Sequence, residues 1–292
     1  MKSKLIAILT LALTGFLTAL SLTASDQATQ LPHAYVYREI DGHKLNAFVF
    51  FPVGEGAGKP TSAILLFHGG GWSAGSAEWT FEAARRFAAL GMVAMSVEYR
   101  LSEGNVTPID ALADTCAAFR WARQHAAELG IDPKRVAGYG VSAGGHLVAA
   151  AATVGCPSDA ANSASSKPDL LLLWSPALDV AADGWFRKLL QGRASVSDYS
   201  PADYAGPSTP PTCIVHGEKD TLVPLAGVKR FCDRVVQSGG VCKLIVYPGV
   251  GHLLTRNLAN QESDFDPDPK ARADGIAQHE RFLRERGFIQ DK

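Results

Sequence analysis

The chain has 292 residues, of which 47% are hydrophobic and 20% charged, the balance of an ordinary globular protein. Its formal net charge of -1 at pH 7 gives no electrostatic basis for binding nucleic acid or an anionic membrane surface. The length suits one large domain with a single core, and no internal repeat or long low-complexity segment is apparent.

The first residues predict an export signal. Lys2 and Lys4 precede an uncharged, mostly apolar stretch over 5–20, and small residues follow it. We expect 1–25 to be a signal peptide and 26–292 to be a single domain, exported to the periplasm or the outside of the cell. An uncleaved anchor is the alternative, because the apolar stretch is near the shortest length that spans a bilayer.

Two alternating stretches at 35–40 and 44–51 predict an antiparallel hairpin that turns at Asp41-Gly42. Strand-like and helix-like segments then alternate along the chain. The predicted strands cover 63–67, 92–97, 135–139, 170–174, 212–216 and 241–247, and the predicted helices include 78–90, 108–129, 226–238 and 270–285. Such a series builds an α/β fold with a mostly parallel sheet, helices on both faces, and the site at the carboxyl ends of the strands.

The strand at 63–67 leads into a triple glycine, in the sequence HGGGW at 68–72. Successive glycines let the main chain come close to a ligand and turn its N–H groups toward it. Such N–H groups stabilise the negative oxygen of a tetrahedral intermediate when a dry site holds them in place. We therefore expect Gly70 and Gly71 to contribute to an oxyanion hole. A flexible glycine turn is the alternative.

A second turn follows the strand at 135–139 and has the sequence GVSAG at 140–144. It fits the nucleophile-elbow pattern G-x-S-x-G, in which a serine stands on a sharp strand-to-helix turn. Ser142 is the predicted nucleophile. Ala143 begins a helix whose N-terminal end favours negative charge, so we expect its N–H to be a third donor of the oxyanion hole. An ordinary Ser/Gly loop is the alternative.

Asp220 and His252 each lie in a loop that follows a predicted strand. A serine hydroxyl needs a neutral imidazole to take its proton, and the imidazole needs a buried carboxylate to hold its tautomer. Ser142, Asp220 and His252 are therefore the predicted catalytic triad. Asp179 and Glu218 are less favoured candidates for the acid.

The other histidines are assigned structural roles. His68 is expected to hold the glycine loop, His146 to pack or bond behind the elbow, and His216 to be a hydrogen-bonded core residue. No motif surrounds the rest, which we expect on the surface: His33, His43, His125 and His279.

Two segments interrupt the alternation of strands and helices. The stretch 181–210 holds several aromatic residues among Gly, Ser and Pro, and an insert at this point can cap the site. A packed surface loop is the alternative. The stretch 258–269 is acidic and is expected to be an exposed loop near the mouth of the site. Its spacing does not match an EF-hand loop, so it gives only weak support for a calcium site.

Five cysteines in a chain with an export signal suggest disulfides, and the odd number leaves at least one free. Cys232 with Cys242 is the preferred bridge, because a helix and the strand after it pack together. Cys116 with Cys156 is a second possibility, and Cys213 is the expected free thiol. All could instead be buried apolar thiols. No cluster has metal-ligand spacing, so no metal or cofactor is predicted.

Together these motifs resemble those of the α/β-hydrolase esterases. The shared motifs are HGGGW at 68–72, EYRL at 98–101, GVSAGG at 140–145, HGEKD at 216–220 and GH at 251–252. The resemblance spans 35–287. It is greatest to bacterial hormone-sensitive-lipase-like carboxylesterases and to the related acetyl-xylan and feruloyl esterase-like proteins. In these proteins the triad runs in the order serine, acid, histidine, as it does here.

The resemblance implies a serine carboxylesterase that works through an acyl-enzyme and without a cofactor. The expected substrate is a small-acyl ester of a small molecule or carbohydrate, including acetylated or feruloylated sugars. Val141 stands where the hormone-sensitive-lipase branch usually has Asp, and SEGN at 102–105 replaces a usual acidic residue and proline. Both departures favour the carbohydrate-esterase-like branch.

Two other functions stay open. A serine peptidase or amidase of the prolyl-oligopeptidase type shares the fold, but usually carries a β-propeller domain ahead of it, for which this chain has no room. A non-catalytic binding protein of the same fold usually lacks a triad residue, whereas all three are present here. No nucleic-acid partner and no stable membrane anchor are expected.

Overall fold

The computed structural model describes residues 30–52, 60–156 and 164–290, in which eight strands form one sheet. The predicted signal peptide at 1–25 lies outside these residues. The strands are β1 (His33–Ile40), β2 (His43–Phe50), β3 (Thr61–Phe67), β4 (Val93–Val97), β5 (Ile131–Val141), β6 (Leu170–Trp174), β7 (Thr212–Gly217) and β8 (Cys242–Tyr247). Their spatial order is β1-β2-β4-β3-β5-β6-β7-β8. The pairs β1–β2 and β2–β4 are antiparallel, and the other five neighbouring pairs are parallel. This confirms the mostly parallel α/β sheet.

Helices cover both faces of the sheet. They are α1 (Phe81–Ala89), α2 (Pro108–Gln124), α3 (Ala126–Leu129), α4 (Ala143–Thr153), α5 (Gly184–Leu190), α6 (Pro201–Tyr204), α7 (Leu225–Gln237) and α8 (Pro269–Glu285). Short 3-10 helices lie at Ala77–Thr80, Val196–Tyr199 and His252–Leu254. The buried side chains of α2, α4 and α7 pack on one face, and those of α1 and α8 pack on the other. Within the described ranges, no helix has the length and apolar character needed to cross a bilayer.

The first hairpin turns where the sequence predicts it. Asp41 and Gly42 have φ values of 50° and 79°. Two central residues with positive φ match the right-handed twist of the strands on either side of a two-residue loop. The hairpin strands β1 and β2 form one edge of the sheet.

The loops that carry the predicted site residues all leave the sheet at the carboxyl ends of its parallel strands. Phe67 at the end of β3 is paired with Gly140 near the end of β5, so the glycine loop and the elbow start side by side. From β5 through β6 and β7 to β8 the strands run parallel, so the loops after β7 and β8 emerge at that end of the sheet too. The topology thus gathers segments that are far apart in the chain.

The helix predicted over 108–129 is two helices in the structure. α2 ends at Gln124, and His125 has φ -98° and ψ 18°, outside the helical range. The Nδ1–H of His125 donates to the Trp121 carbonyl at 2.9 Å. The backbone N–H of His125 donates to the same carbonyl at 3.0 Å, so the side chain and the main chain of His125 together close the end of α2.

Candidate active site

Ser142 stands on the turn between β5 and α4 with φ 51° and ψ -113°. Positive φ is unfavourable for a residue with a side chain, so the surrounding structure must hold the turn. The flanking glycines make the turn possible. A Cβ on Gly140 would lie 2.5 Å from the Gly144 carbonyl oxygen, and one on Gly144 would lie 2.2 Å from the Phe67 carbonyl oxygen. The geometry is that of a nucleophile elbow.

The structure brings Ser142, His252 and Asp220 into one hydrogen-bonded chain. His252 Nε2 lies 3.0 Å from Ser142 Oγ, and His252 Nδ1 lies 2.8 Å from Asp220 Oδ2. A carboxylate only accepts, so the imidazole carries its proton on Nδ1 and leaves Nε2 free to accept from the serine hydroxyl. The other carboxylate oxygen of Asp220 accepts from the N–H groups of Leu222 and Val223 at 3.1 and 2.8 Å. The acid is thus buried and fixed.

The alternative acids lie elsewhere. Asp179 forms an ion pair with Arg230 at 3.1 Å. Glu218 is on the surface, where it accepts from the Gly249 N–H at 3.2 Å. Neither carboxylate contacts His252, so the geometry favours Asp220 as the acid.

The glycine loop lies against the nucleophile, since a Cβ on Gly69 would be 3.3 Å from Ser142 Cβ. The Gly69 carbonyl accepts from His68 Nδ1 at 2.6 Å and from the Tyr99 hydroxyl at 3.2 Å. The C=O and N–H of a trans peptide point in opposite directions. Holding this carbonyl therefore orients the N–H of Gly70 away from His68 and Tyr99.

The other two predicted donors are oriented in the same way. The Gly70 carbonyl accepts from the N–H groups at 73 and 74, at 3.1 and 3.0 Å, which turns the Gly71 N–H to the opposite side. The Ser142 carbonyl accepts from the N–H groups at 146 and 177, at 3.1 and 3.2 Å, and this fixes the N–H of Ala143. Among the described residues, no backbone carbonyl accepts from Gly70, Gly71 or Ala143. These three N–H groups therefore stay candidates for the oxyanion hole.

His68 supports the loop, as the sequence predicts. Its ring stacks on Tyr99 with the ring centroids 4.3 Å apart, and the Tyr99 hydroxyl donates to the His68 carbonyl at 2.9 Å. Burial lowers the pKa of His68, although its bond to Gly69 opposes this. A neutral ring in this position is a rigid support for the glycine loop.

His146 connects the glycine loop to the insert at 181–210. Its Nδ1 accepts from Trp72 Nε1 at 3.2 Å, and its Nε2 donates to the Tyr199 carbonyl at 2.8 Å. Burial lowers the pKa of His146 to about 4. The bonding role expected for this residue is therefore present, and it fixes the neutral tautomer.

The insert also contacts the glycine loop directly. Trp185 Nε1 donates to the Gly71 carbonyl at 3.0 Å, although Trp185 is 45% exposed. Phe186 is buried and meets the rings of Trp72 and His146 edge to face. The insert thus packs on the segment that contains two of the predicted oxyanion donors.

His216 is buried beside the acid but is less well satisfied than expected. Its Nε2 donates to the Val223 carbonyl at 3.0 Å, and the same atom is 3.6 Å from Asp220 Oδ2. In the described part of the chain, its Nδ1 has no hydrogen-bond partner. Burial lowers the pKa of His216, which the nearby Asp220 partly offsets. Burial thus favours the neutral ring, whose Nε2–H lies closer to the Val223 carbonyl than to the Asp220 carboxylate.

Gln261 is a site residue that the sequence did not reveal. Its Oε1 accepts from the His252 N–H at 2.8 Å and from the Thr221 N–H at 3.2 Å, and its Nε2 donates to the Lys219 carbonyl at 2.9 Å. The amide also fills the space beside Gly251, where a Cβ would lie 2.4 Å from it. One buried side chain therefore joins the loop of the histidine to the loop of the acid.

The expectation that His279 lies on the surface is wrong. It is buried in α8 between the rings of Tyr139 and Trp174, with centroid distances of 6.1 and 5.7 Å. Residues 271, 275, 279 and 282 of α8 are all buried, at the spacing of one helical face. That periodicity was the available signal, and a lone polar residue within it belongs to the buried face.

The structure joins Cys232 to Cys242 and Cys116 to Cys156, and it leaves Cys213 free and buried. The preferred bridge links α7 to β8. The second links α2 to the end of the segment after α4. Both pairings that the sequence suggested are thus present.

Three of the four carboxylates of the acidic stretch 258–269 have partners in the protein. Asp266 pairs with Arg256 at 2.7 Å, and Asp264 accepts from Asn257 at 2.8 Å. Asp268 caps α8 by accepting from the N–H groups at 270 and 271. Within the residues that the structure describes, no group of three His, Cys, Asp or Glu side chains could hold a metal ion.

A serine, a histidine and an acid bonded in this order, at the carboxyl edge of a mostly parallel sheet, define an α/β hydrolase. The family model described as alpha/beta hydrolase fold matches residues 64–256, and the chain belongs to this family.

Comparison with known proteins finds esterases. The chain is 42% identical over 88 residues to carboxylesterase NlhH of Mycobacterium tuberculosis, which is 30% of this chain and 27% of that protein. It is 26% identical over 221 residues to esterase LipC of the same species, which is 66% of this chain and 53% of that protein. The matches therefore span from about a quarter to about half of the length of these relatives.

Among solved structures, esterase 2 of the planctomycete Thermogutta terrifontis superposes with a TM-score of 0.79 at 31% identity. The alignment covers 89% of this chain and 94% of that one. The same esterase has been solved with propionate bound, with butyrate bound, and phosphorylated by paraoxon.

Proposed function

We propose that the protein is a carboxylic ester hydrolase in which Ser142 is the nucleophile, His252 the general base and acid, and Asp220 the acid that orients the imidazole. The hydrogen-bonded chain from Ser142 Oγ through His252 to Asp220 carries the proposal. The family membership and the esterases among the relatives support it.

In the first half of the reaction, Ser142 Oγ attacks the ester carbonyl while His252 Nε2 takes the hydroxyl proton. The carbonyl oxygen becomes negative and accepts from the N–H groups of Gly70, Gly71 and Ala143. The Asp220 carboxylate stabilises the imidazolium that forms. His252 then gives its proton to the alcohol oxygen as the C–O bond breaks, which leaves an acyl group on Ser142.

In the second half, a water molecule attacks the acyl carbonyl and gives its proton to His252 Nε2. The same three N–H groups hold the second oxyanion. His252 returns the proton to Ser142 Oγ as the carboxylic acid leaves. No step requires a cofactor, because the nucleophile, the base and the oxyanion donors all belong to the chain.

The proposed substrate is an ester with a small acyl group. Propionate and butyrate occupy Thermogutta esterase 2, with which this chain shares 31% identity over most of its length. The insert at 181–210 is short, and its contacts with the glycine loop through Trp185 leave it beside the oxyanion donors. We propose that it caps this side of the site. The motif departures at Val141 and 102–105 favour an acetylated or feruloylated carbohydrate as the natural ester.

We also propose that the protein works outside the cytoplasm. Disulfides persist in oxidising compartments and are rare in the cytosol. The two bridges in the described residues and the leader-like sequence at 1–25 support export.

The test is hydrolysis of p-nitrophenyl acetate, butyrate and octanoate and of acetylated xylan by purified wild type and Ser142→Ala. We expect turnover of the short esters and a loss of about 10⁴-fold or more in the variant. Ser238→Ala, at the end of α7, is the matched control and should behave as wild type. Acetate release from xylan would support the carbohydrate substrate. Folded wild type that cleaves no ester would contradict the proposal, and cleavage of p-nitroanilides would then favour an amidase.

A further inference from the structure

A cavity of about 290 Å³ lies between α1, α8 and the loop after β8. We call it the Tyr139 cavity. The residues used below are Trp79, Arg86, Tyr139, Val141, Leu253 and Arg272, and all of them line it. The cavity is on the face of the sheet that α1 and α8 cover. The insert packs with α2, α4 and α7 on the other face.

The cavity begins beside the proposed catalytic residues. Val141 precedes Ser142, and Leu253 follows His252. Alternate residues of a strand share a face, so Tyr139 lies below Val141 on β5, about 6–7 Å farther from the edge of the sheet. The cavity is thus lined by the chain neighbours of the serine and the histidine, Val141 and Leu253, and by Tyr139 farther in.

The hydroxyl of Tyr139 has no hydrogen-bond partner in the described residues, although the side chain is only 7% exposed. The other two deeply buried tyrosines differ, because Tyr37 donates to the Glu98 carbonyl and Tyr99 to the His68 carbonyl. Among the described residues, the Tyr139 hydroxyl oxygen does not belong to the fully buried atoms that lack a partner. It is therefore accessible from the cavity, where a ligand or water can accept from it. Burial raises the pKa of the Tyr139 phenol, so it stays protonated and can donate.

Charged groups of both signs lie around Tyr139, since Glu82 lines the cavity together with two arginines. Arg86 lines the cavity, and its Nε has no hydrogen-bond partner among the described residues, since Glu280 is 3.8 Å away. Arg272 lines it too and pairs at 3.2 Å with Glu82. At the rim, Trp79 is 63% exposed, next to the ring of His68. An aromatic rim above an interior that contains a phenol hydroxyl and two arginine side chains suits a ring that carries an acceptor oxygen.

The proposed mechanism fixes which half of the ester lies here. His252 Nε2 must reach the alcohol oxygen to protonate it, so the alcohol leaves on the histidine side. The cavity is on that side, because Leu253 lines it. The contacts of the insert with Gly71 are on the other face of the sheet. The alcohol part of the ester is therefore the half that lies nearer to the cavity.

We infer that the Tyr139 cavity binds the alcohol part of the substrate and favours a ring-bearing alcohol with an acceptor oxygen beyond the ring. This inference rests on the proposed esterase function. The probe ester is 4-acetoxybenzoate, whose carboxylate lies across the ring from the ester oxygen. Phenyl acetate is the matched ester without the acceptor.

The experiment compares kcat/KM for 4-acetoxybenzoate with that for phenyl acetate in wild type and in Tyr139→Phe. Loss of a hydrogen bond to a charged acceptor should lower this ratio about tenfold or more. The intrinsic reactivity of the two esters cancels in this comparison. The variant should fold, because the hydroxyl that it removes has no partner. Tyr247→Phe, which removes a hydroxyl bonded to Asp274 outside the cavity, should leave the ratio unchanged.

A binding measurement separates this inference from the proposed function. Calorimetry of Ser142→Ala with 4-hydroxybenzoate should show binding that weakens about tenfold when Tyr139→Phe is added. That result stands even if no ester is cleaved. If wild type cleaves esters but neither the ratio nor the binding depends on Tyr139, the inference is wrong. It is also wrong if Tyr139→Phe changes the preference for acetate over butyrate instead, since the cavity would then hold the acyl group.

Discussion

The side-chain amide oxygen of Gln261 accepts a hydrogen bond from the backbone N–H of His252 at 2.8 Å. The same amide bonds to both Lys219 and Thr221, on either side of Asp220. The base and the acid of the proposed triad come from separate loops, and this side chain fixes their distance.

We expect Gln261→Ala to lower kcat for p-nitrophenyl acetate about 10- to 100-fold with a smaller change in KM. Misplacement of a catalytic group by a fraction of an ångström to one ångström has effects of this size. Steady-state kinetics with circular dichroism and a melting curve would check it. Gln237→Ala, at an exposed position in α7, is the control and should match wild type. A wild-type kcat in folded Gln261→Ala would remove the positioning role.

Gly70→Ala should lower kcat about 10²–10³-fold, as loss of an oxyanion donor does. Gly70 has φ 102°, and an added Cβ would lie 2.1 Å from the Ala74 carbonyl oxygen, so the loop must move. Gly91 has φ 90° but nothing within 4 Å of its Cβ position. Gly91→Ala should therefore add only backbone strain, which lowers the free energy of unfolding by about 1–2 kcal/mol. This variant should keep its activity. Equal activity losses in the two variants would argue against the proposed oxyanion hole.

Each disulfide should stabilise the protein by an amount that grows with the length of the loop that the disulfide closes. Loop-closure entropy gives about 4 kcal/mol for Cys116–Cys156, with a separation of 40, and about 3 kcal/mol for Cys232–Cys242, with a separation of 10. Urea unfolding of the two paired Cys→Ala variants would measure both. Thiol titration of denatured, unreduced protein should find one thiol, that of Cys213. Five thiols in freshly exported protein would contradict the pairing.

His279 should make the protein less stable in acid. Burial lowers its pKa from the usual 6.5 to about 3. Below pH 6.5 the unfolded chain binds a proton that the folded protein excludes, so stability falls as the pH drops toward 3. Between pH 7.5 and 5.0 this term amounts to about 2 kcal/mol.

Urea unfolding at pH 7.5 and 5.0 tests this linkage. His279→Leu should lose less stability between the two pH values than wild type. His43→Leu removes an exposed histidine and should lose as much as wild type. Identical pH dependence in wild type and His279→Leu would show that the buried histidine contributes nothing to acid sensitivity.

Much of the site could be predicted because each part is local in the sequence. Gly70, Ser142 and His252 each follow a short apolar strand, and a parallel sheet brings such loops to one edge whatever the chain distance between them. The types of residue in these loops then indicate a nucleophile, a base and oxyanion donors. The strand order and the break at His125 needed the structure.

Gln261 and the Tyr139 cavity could not be predicted, for two different reasons. The partners of Gln261 lie up to 42 residues away, and a glutamine in an acidic loop has no motif around it. The free hydroxyl of Tyr139 depends on how α1 and α8 pack over β5, which the strand pattern does not reveal. His279 differs, because the periodicity of α8 contained the signal.

Mass spectrometry of the protein after reaction with paraoxon tests the central claim most directly. Nucleophilic attack by Ser142 on this phosphate ester should leave one diethylphosphoryl group per chain, mapped to the peptide that contains Ser142. Ser142→Ala should take up none and should also lose esterase activity. A label on another residue, or ester hydrolysis that persists in Ser142→Ala, would contradict the assignment of the nucleophile.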